Sequence, residues 1–241
     1  MKYIIILILL LILLILLNTK SGFGLNKKIH VFVISLEKAK ERKAHITKMF
    51  KGFKGYSLFK AVDGYNMSPE DSSLEKGYIT APLKKGEVGC ALSHLKLWKQ
   101  LDSINDTDTF LILEDDFVPK YAMNDILQII KQVNNYDILY TGHCFEQQGK
   151  LVQTVEYKNK EFNIYESVTP LCTHSYVITK QGLKKVLEYS DKNKIKYNID
   201  NFLNHMQKEK YIKSLSVIDP LIDQIWQQET VKSELPTYMK E

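Results

Sequence analysis

"TFLILEDDFVP" (109–119) runs an apolar segment straight into three consecutive carboxylates, Glu114, Asp115 and Asp116. Its short apolar run, Phe110 to Leu113, reads as a buried strand. Strand side chains alternate between faces, so Phe110, Ile112, Glu114 and Asp116 share one side and Leu111, Leu113 and Asp115 the other. Neighbouring carboxylates repel, and they are stable together only when protonated or when a cation sits among them. Hard divalent ions such as Mg²⁺ and Mn²⁺ prefer carboxylate oxygen and complete their shell with substrate phosphates. The pair Glu114 and Asp116 at a strand's carboxyl end therefore reads in two ways. One is a metal–diphosphate seat; the other is an acidic solvated turn in which Asp116 caps the following helix.

The rest of the chain supplies strands and helices around that segment. "IHVFVIS" (29–35) is a β-branched strand, followed by a helical pattern over 38–50. A second strand over 56–62 stops at the turn signal Asp63-Gly64. Residues 65–85, with Pro69 and Pro82, read as irregular. "GEVGCALSHLKLWKQL" (86–101) is helical, with Val88, Leu92, Leu95 and Trp98 on one face. A helix over 121–133, a strand over 136–142 and a β-hairpin insertion over 151–166 come next. A strand over 174–179, helices over 180–189 and 198–209 and a last strand over 211–220 follow, leaving a tail from Leu221 with few core signals. Strand–helix alternation predicts an α/β fold with a largely parallel sheet. Ligands of such sheets bind outside the carboxyl ends of the strands, which points at Ser35, Asp63, Glu114 to Asp116 and Gly142.

A chain of 241 residues, 44% of them hydrophobic, can bury one sizeable core. The formal charge of +5 suits an anionic ligand without demanding one. Tryptophan is scarce and arginines are not interleaved with aromatics, so nothing points to a nucleic-acid partner. Ile4 to Leu17 are fourteen uninterrupted Ile and Leu residues. As a helix they reach roughly 21 Å, short of the roughly 30 Å hydrocarbon layer. The length fits a signal-peptide core, with Gly22-Phe23-Gly24 as a cleavage region, or an N-terminal hydrophobic helix retained as a signal anchor. Its unbroken apolarity favours the single-pass anchor, placing the protein at a membrane or in the lumen of the secretory pathway. The expected layout is 1–25 leader and linker, 26–225 a single domain and 226–241 a C-terminal tail. Cys90, Cys144 and Cys172 leave room for one disulfide, and Cys90 and His94, lacking a second ligand pair, do not make a zinc motif.

Five segments, "VFVISLEKAKER" (31–42), "AVDG" (61–64), "GEVGCALSH" (86–94), "FLILEDDFVP" (110–119) and "SYVITKQGLKKVLE" (175–188), follow in this order. Together, across roughly residues 29 to 225, they resemble glycosyltransferase family 25. That family includes bacterial lipooligosaccharide galactosyltransferases and collagen hydroxylysine galactosyltransferases. The resemblance implies a GT-A type, Rossmann-like nucleotide-sugar fold, a UDP-sugar donor (usually UDP-galactose), inversion at the anomeric carbon and dependence on Mn²⁺ or Mg²⁺. It implies Asp116 as the metal ligand, supported by Glu114, with Glu114 and Asp115 orienting ribose and sugar hydroxyls. Ser35, Glu37 and Arg42 fall where this fold binds uridine and diphosphate, although the family usually carries Asn at the position of Ser35. Asp63 is expected to meet uracil or ribose, and Ser93 and His94 to contact the donor. A surface arginine, turn chemistry at Asp63 and a hydrogen-bonded core histidine are the plainer readings of Arg42, Asp63 and His94.

The implied chemistry accounts for the acids. Leaving UDP builds charge on its β-phosphate, which a divalent ion stabilises as a Lewis acid. The acceptor hydroxyl loses a proton as it attacks, which calls for one general base. Asp200 in "YNIDNFL" matches the family's acid in this region, and otherwise reads as a helix-capping aspartate. His143, after a strand end, is a further acceptor-site candidate. The expected activity is transfer of a hexose to a hydroxyl of a glycan or of hydroxylysine in a collagen-like protein. A metal-dependent phosphohydrolase on the same carboxylates lacks the extra Asp and His clusters of a two-metal site. A non-catalytic module binding a glycan or nucleotide sugar has no reason to retain the acidic repulsion.

Overall fold

In the computed structural model, which describes residues 28–104 and 109–230, the strand carrying the acids is third in an eight-stranded sheet. The strands are β1 (Ile29–Ser35), β2 (Tyr56–Lys60), β3 (Thr109–Glu114), β5 (Ile138–Cys144), β6 (Gln148–Tyr157), β7 (Lys160–Ser167), β8 (Leu171–Thr179) and β9 (Ser214–Val217). They lie in the order β2-β1-β3-β8-β5-β9-β7-β6. A second, two-stranded sheet pairs β4 (Phe117–Pro119) with β10 (Ile222–Gln224). The helices are α1 (Lys40–Met49), α2 (Pro69–Tyr78), α3 (Lys85–Asp102), α4 (Met123–Gln132), α5 (Lys180–Asn193), α6 (Ile199–Lys208) and α7 (Ile225–Thr230).

The class is α/β, but the sheet is mixed rather than largely parallel. β1 runs parallel to β2 and β3, and β5 parallel to β9, while β8 lies antiparallel between β3 and β5. β8 pairs antiparallel with both of its neighbours, so its beginning lies beside the ends of β3 and β5. The expected hairpin insertion is part of the sheet: β7 pairs with β9 and β6 forms the far edge. Its turn is Lys158-Asn159, both left-handed at φ 50° and 61°, the two-residue geometry that matches strand twist.

The alternation along β3 sorts the core into two layers. Phe110 and Ile112 pack with Leu92, Leu95 and Trp98 of α3, Tyr176 of β8 and Phe202 of α6. Leu111 and Leu113 pack on the other face with Ile46 of α1, Ile126 and Ile130 of α4 and Leu215 of β9. Two expectations outside the core change. The segment 65–85 contains α2, because Ser68 caps it by accepting from Asp71 N at 3.1 Å and Pro69 pre-sets its first φ. The stretch after Leu221 is not peripheral: Leu221 and Ile222 are fully buried, and β10 returns to pair with β4 just beyond the acids. The leader helix and the end of the tail lie outside the described residues; among the described residues, no helix is long and apolar enough to cross a membrane.

One backbone contact fixes the end of β2. A Cβ on Gly64 would stand 1.8 Å from the Lys85 carbonyl oxygen, and one on Gly89 2.8 Å from both Gly64 N and Val62 O. The β2–α2 connection therefore lies main chain to main chain on the first turns of α3. Gly64→Ala is expected to destabilise the protein by about 1–3 kcal/mol through overpacking. Gly86→Ala, which meets nothing within 4 Å, is expected to leave the melting temperature unchanged or to raise it. Thermal melts of the two variants test this, and equal melting temperatures would refute the contact.

Candidate functional site

Two cavities open side by side at the carboxyl ends of β1, β2 and β3. The first, about 230 Å³, is lined by Ser35 and Leu36 after β1, Val62 to Tyr65 after β2, Gly89, Cys90, Ser93 and His94 on α3, and Glu114 and Asp115. The second, about 210 Å³, is lined by Glu87, Cys90, Glu114, Cys172, Thr173, Asn198, Ile199, Asp200 and Gln224. Cys90 and Glu114 line both, so the cavities meet at the end of β3.

The three acids leave β3 with different partners. Glu114 Oε1 accepts from Thr173 Oγ1 at 2.6 Å and lies 3.2 Å from His94 Nε2. Burial raises this carboxyl, but the bonds from His94 and Thr173 outweigh burial and hold it below the usual glutamate value. Asp115 Oδ2 accepts from Ser35 Oγ at 2.9 Å, with Arg42 Nε at 3.8 Å. Burial leaves Asp115 above its ordinary value, with Ser35 and Arg42 opposing. Among the described residues, the Asp116 side chain is met by Gln224 Nε2 at 3.4 Å and Arg42 Nη1 at 3.8 Å and by no other side chain. Burial, followed by the charge of Glu114, pushes it up to about 6. Asp116 is thus the acid whose charge the protein matches least, and its oxygens are the ones left for a cation. A carboxylate donor suits a hard divalent ion, and the charge of Glu114 acts on Asp116.

The other expected residues are distributed as follows. Asp63 lies on the first cavity, bonded to Lys38, to Asn66 Nδ2 at 3.0 Å and to Tyr65 N at 3.2 Å. Lys38 and Asn66 hold its carboxyl down at about 2. Ser93 spends its hydroxyl on structure, donating to Gly89 O at 2.6 Å and accepting from Val62 N at 2.8 Å. His94 is fully buried, with Nδ1 2.8 Å from Tyr176 Oη. Glu37 stands outside both linings, exposed and paired with Lys60 at 2.6 Å. Asp200 lies on the second cavity, one residue into α6 from its first residue, Ile199, while Asn198 holds the cap position. Its Oδ2 accepts from Cys172 N at 3.1 Å and its Oδ1 from Asn201 N at 2.7 Å.

Cys172 is itself in a left-handed conformation, φ 67°, and is bonded to Cys144, tying the end of β5 to the start of β8. His143 lines neither cavity; it is buried, with Nε2 3.0 Å from the Val217 carbonyl. Sequence spacing missed that Glu114 joins Cys90 and His94, whose ligand atoms lie within 4.8 Å of one another. It also missed Thr173 and Gln224, which reach the acids from 59 and 108 residues away.

The glycosyltransferase family 25 (LPS biosynthesis protein) profile matches residues 28–203. A glycosyltransferase 25 family member of Anopheles gambiae is 31% identical over 193 residues, covering 72% of this chain and 31% of that one. A putative glycosyltransferase of Haemophilus influenzae is 31% identical over 180 residues, covering 69% and 61%. Procollagen galactosyltransferase 1 of Danio rerio is 25% identical over 198 residues, covering 76% and 32%. The chain spans about a third of the length of the Anopheles and Danio relatives. Among solved structures, a glycosyltransferase involved in glycosylation of the major capsid of PBCV-1 superposes with a TM-score of 0.45 at 10% identity, covering 82% of this chain and 92% of that one.

The raised carboxyl of Asp116 has a stability consequence. Its folded-state value lies near 6 against 3.8 ordinarily, so the folded state binds this proton more tightly than the unfolded state does. Ionisation therefore destabilises the fold as pH rises through that window, and the loss is complete above it. In EDTA at pH 8, Asp116→Asn is expected to gain roughly 1–3 kcal/mol, and the gain should vanish at pH 4. Thermal melts across pH check both ends; a variant less stable than wild type at pH 8 would make Asp116 a structural anchor instead.

Proposed function

The chain belongs to glycosyltransferase family 25, and from that premise we propose that its two cavities hold a UDP-sugar and a hydroxyl acceptor and transfer a hexose, galactose, between them with inversion. The observation that carries the reading is the meeting of both cavities at Glu114, beside an acid, Asp116, whose charge the protein leaves largely unmatched. The reading includes a GT-A type fold, a divalent ion (Mn²⁺ or Mg²⁺) held by Asp116 with Glu114, and a membrane anchor formed by Ile4 to Leu17.

In this scheme the first cavity takes the donor. Ser35, Asp63 and Asp115 present oxygen atoms to the nucleoside, and Arg42, near both Asp115 and Asp116, adds positive charge beside the leaving diphosphate. A bound divalent ion would supply the Lewis acidity that stabilises the departing phosphate. The second cavity takes the acceptor. Asp200, held by the Cys172 amide, receives the proton of the attacking hydroxyl, and Glu87 is a second acidic group lining that cavity. Two acidic groups suit a hydroxyl-rich glycan and equally the hydroxyl and ammonium of hydroxylysine. The procollagen galactosyltransferase name of the Danio relative favours including collagen-like acceptors.

The full chain is expected to release UDP from UDP-galactose in the presence of Mn²⁺ and to lose that release in EDTA. Asp200→Asn should lower kcat by roughly 10²–10⁴-fold with little change in donor KM, as loss of a general base does. Turnover that survives EDTA would sink the metal assignment, and failure to bind any UDP-sugar would sink the donor class.

A further inference from the structure

A buried line of hydrogen bonds runs from the core to Glu114, and its direction follows from which groups can donate. Trp98 Nε1–H is a donor only, and it gives its proton to Tyr176 Oη at 2.9 Å. Tyr176 is fully buried and owns a single hydroxyl proton; its other partner is His94 Nδ1, at 2.8 Å. Were Nδ1 protonated too, the tyrosine proton would face the core with no acceptor among the described residues. Nδ1 therefore accepts, the ring proton sits on Nε2, and Nε2–H points at Glu114 Oε1 at 3.2 Å. Thr173 donates to that same oxygen at 2.6 Å. Both bonds fall on Oε1, and Oε2 takes no partner among the described residues.

We propose that Trp98, Tyr176 and His94 are positioning residues: a one-way donor relay that fixes His94 as the Nε2–H tautomer and turns Glu114 so that Oε2 faces the junction of the two cavities. This rests on the hexosyl-transfer reading above and deepens it, because the junction is where a sugar passes from donor to acceptor. A carboxylate presented there is a hydrogen-bond acceptor for a hydroxyl of the sugar in transit. With its side chain 1% exposed, His94 acts on that sugar through Glu114 and not by touching it. Partners one shell out that fix a ligand's tautomer or orientation change activity by about 10–100-fold when removed.

The test has two arms, one of which needs no turnover. In the ¹⁵N-histidine-labelled full chain, two-bond proton–nitrogen spectra, with His94→Gln assigning the signal, should show His94 protonated at Nε2. Tyr176→Phe should shift it toward Nδ1–H or an exchanging mixture. In the second arm, UDP release from UDP-galactose with Mn²⁺ is compared among variants. His94→Gln keeps an N–H for Glu114 and should stay within about tenfold of wild-type kcat, whereas His94→Leu should fall about a hundredfold with a smaller change in KM. A structural role for His94 predicts equal losses in the two variants. If His94→Leu does not fold, Tyr176→Phe carries the comparison, since it removes only a hydroxyl and should still lower kcat. An Nδ1–H tautomer in the wild type, equal kcat for His94→Gln and His94→Leu, or wild-type kcat in Tyr176→Phe would each overturn the relay. Absence of UDP-galactose turnover in the wild type would strike the proposed function, while the spectra would still decide the tautomer.

Discussion

Phe110 to Leu113 are fully buried, and the chain leaves them directly into three acids, so the neighbouring elements have to meet a concentration of negative charge at the edge of the core. An ionised carboxylate taken out of water costs several kcal/mol unless something answers it. Each acid is answered from a different direction. Glu114 is met from α3 and β8, Asp115 from the end of β1 and from α1, and Asp116 from β10 and from α1. These groups come from residues 35, 42, 94, 173 and 224, and each is carried by an element whose apolar side is part of the same core. The site is therefore distributed over the whole described chain.

Two features of the topology make that convergence possible. Because β8 is antiparallel to β3, its beginning lies beside the end of β3, which delivers Thr173 to Glu114 and Cys172 to Asp200. A parallel strand in that place would have brought its far end instead. The clasp of β10 on β4 returns the last part of the described chain to the acids and sets Gln224 beside Asp116. The Cys144–Cys172 bond then holds the β5 and β8 ends together at the second cavity, which Cys172 lines.

What could be read from sequence was what local chemistry determines. The period of two along β3 assigned Phe110 and Ile112 to one layer and Leu111 and Leu113 to the other, as found. The five collinear segments led to the family that the profile match identifies. The helix after Ser68 left a capping signature in Ser68, Pro69 and Asp71, yet it buries no residue, so apolar periodicity gave no sign of it. Strand direction left no local mark: β8 lies antiparallel to both β3 and β5, which the alternation of strand and helix patterns does not encode. The unseen parts of the site are the long-range ones. Trp98 reads as an apolar core residue, and only its indole bond to Tyr176, 78 residues on, assigns it another task. Gln224 lies in a stretch without core signals, and its place beside Asp116 depends on the β10 return. Glu37 shows the converse, a match of motif whose side chain turns to Lys60.

The contact of Gly64 and Gly89 with opposing main chain gives the first cavity two unlike halves. One half is cast in peptide backbone, where any side chain would collide, and its outline is inherited with the fold. The other half is made of side chains, among them Leu36 and the exposed ring of Tyr65. Substitutions in this chain can reshape the cavity through that second half, while the glycine half resists any side chain, so the cavity is a mould with one fixed wall and one open to revision.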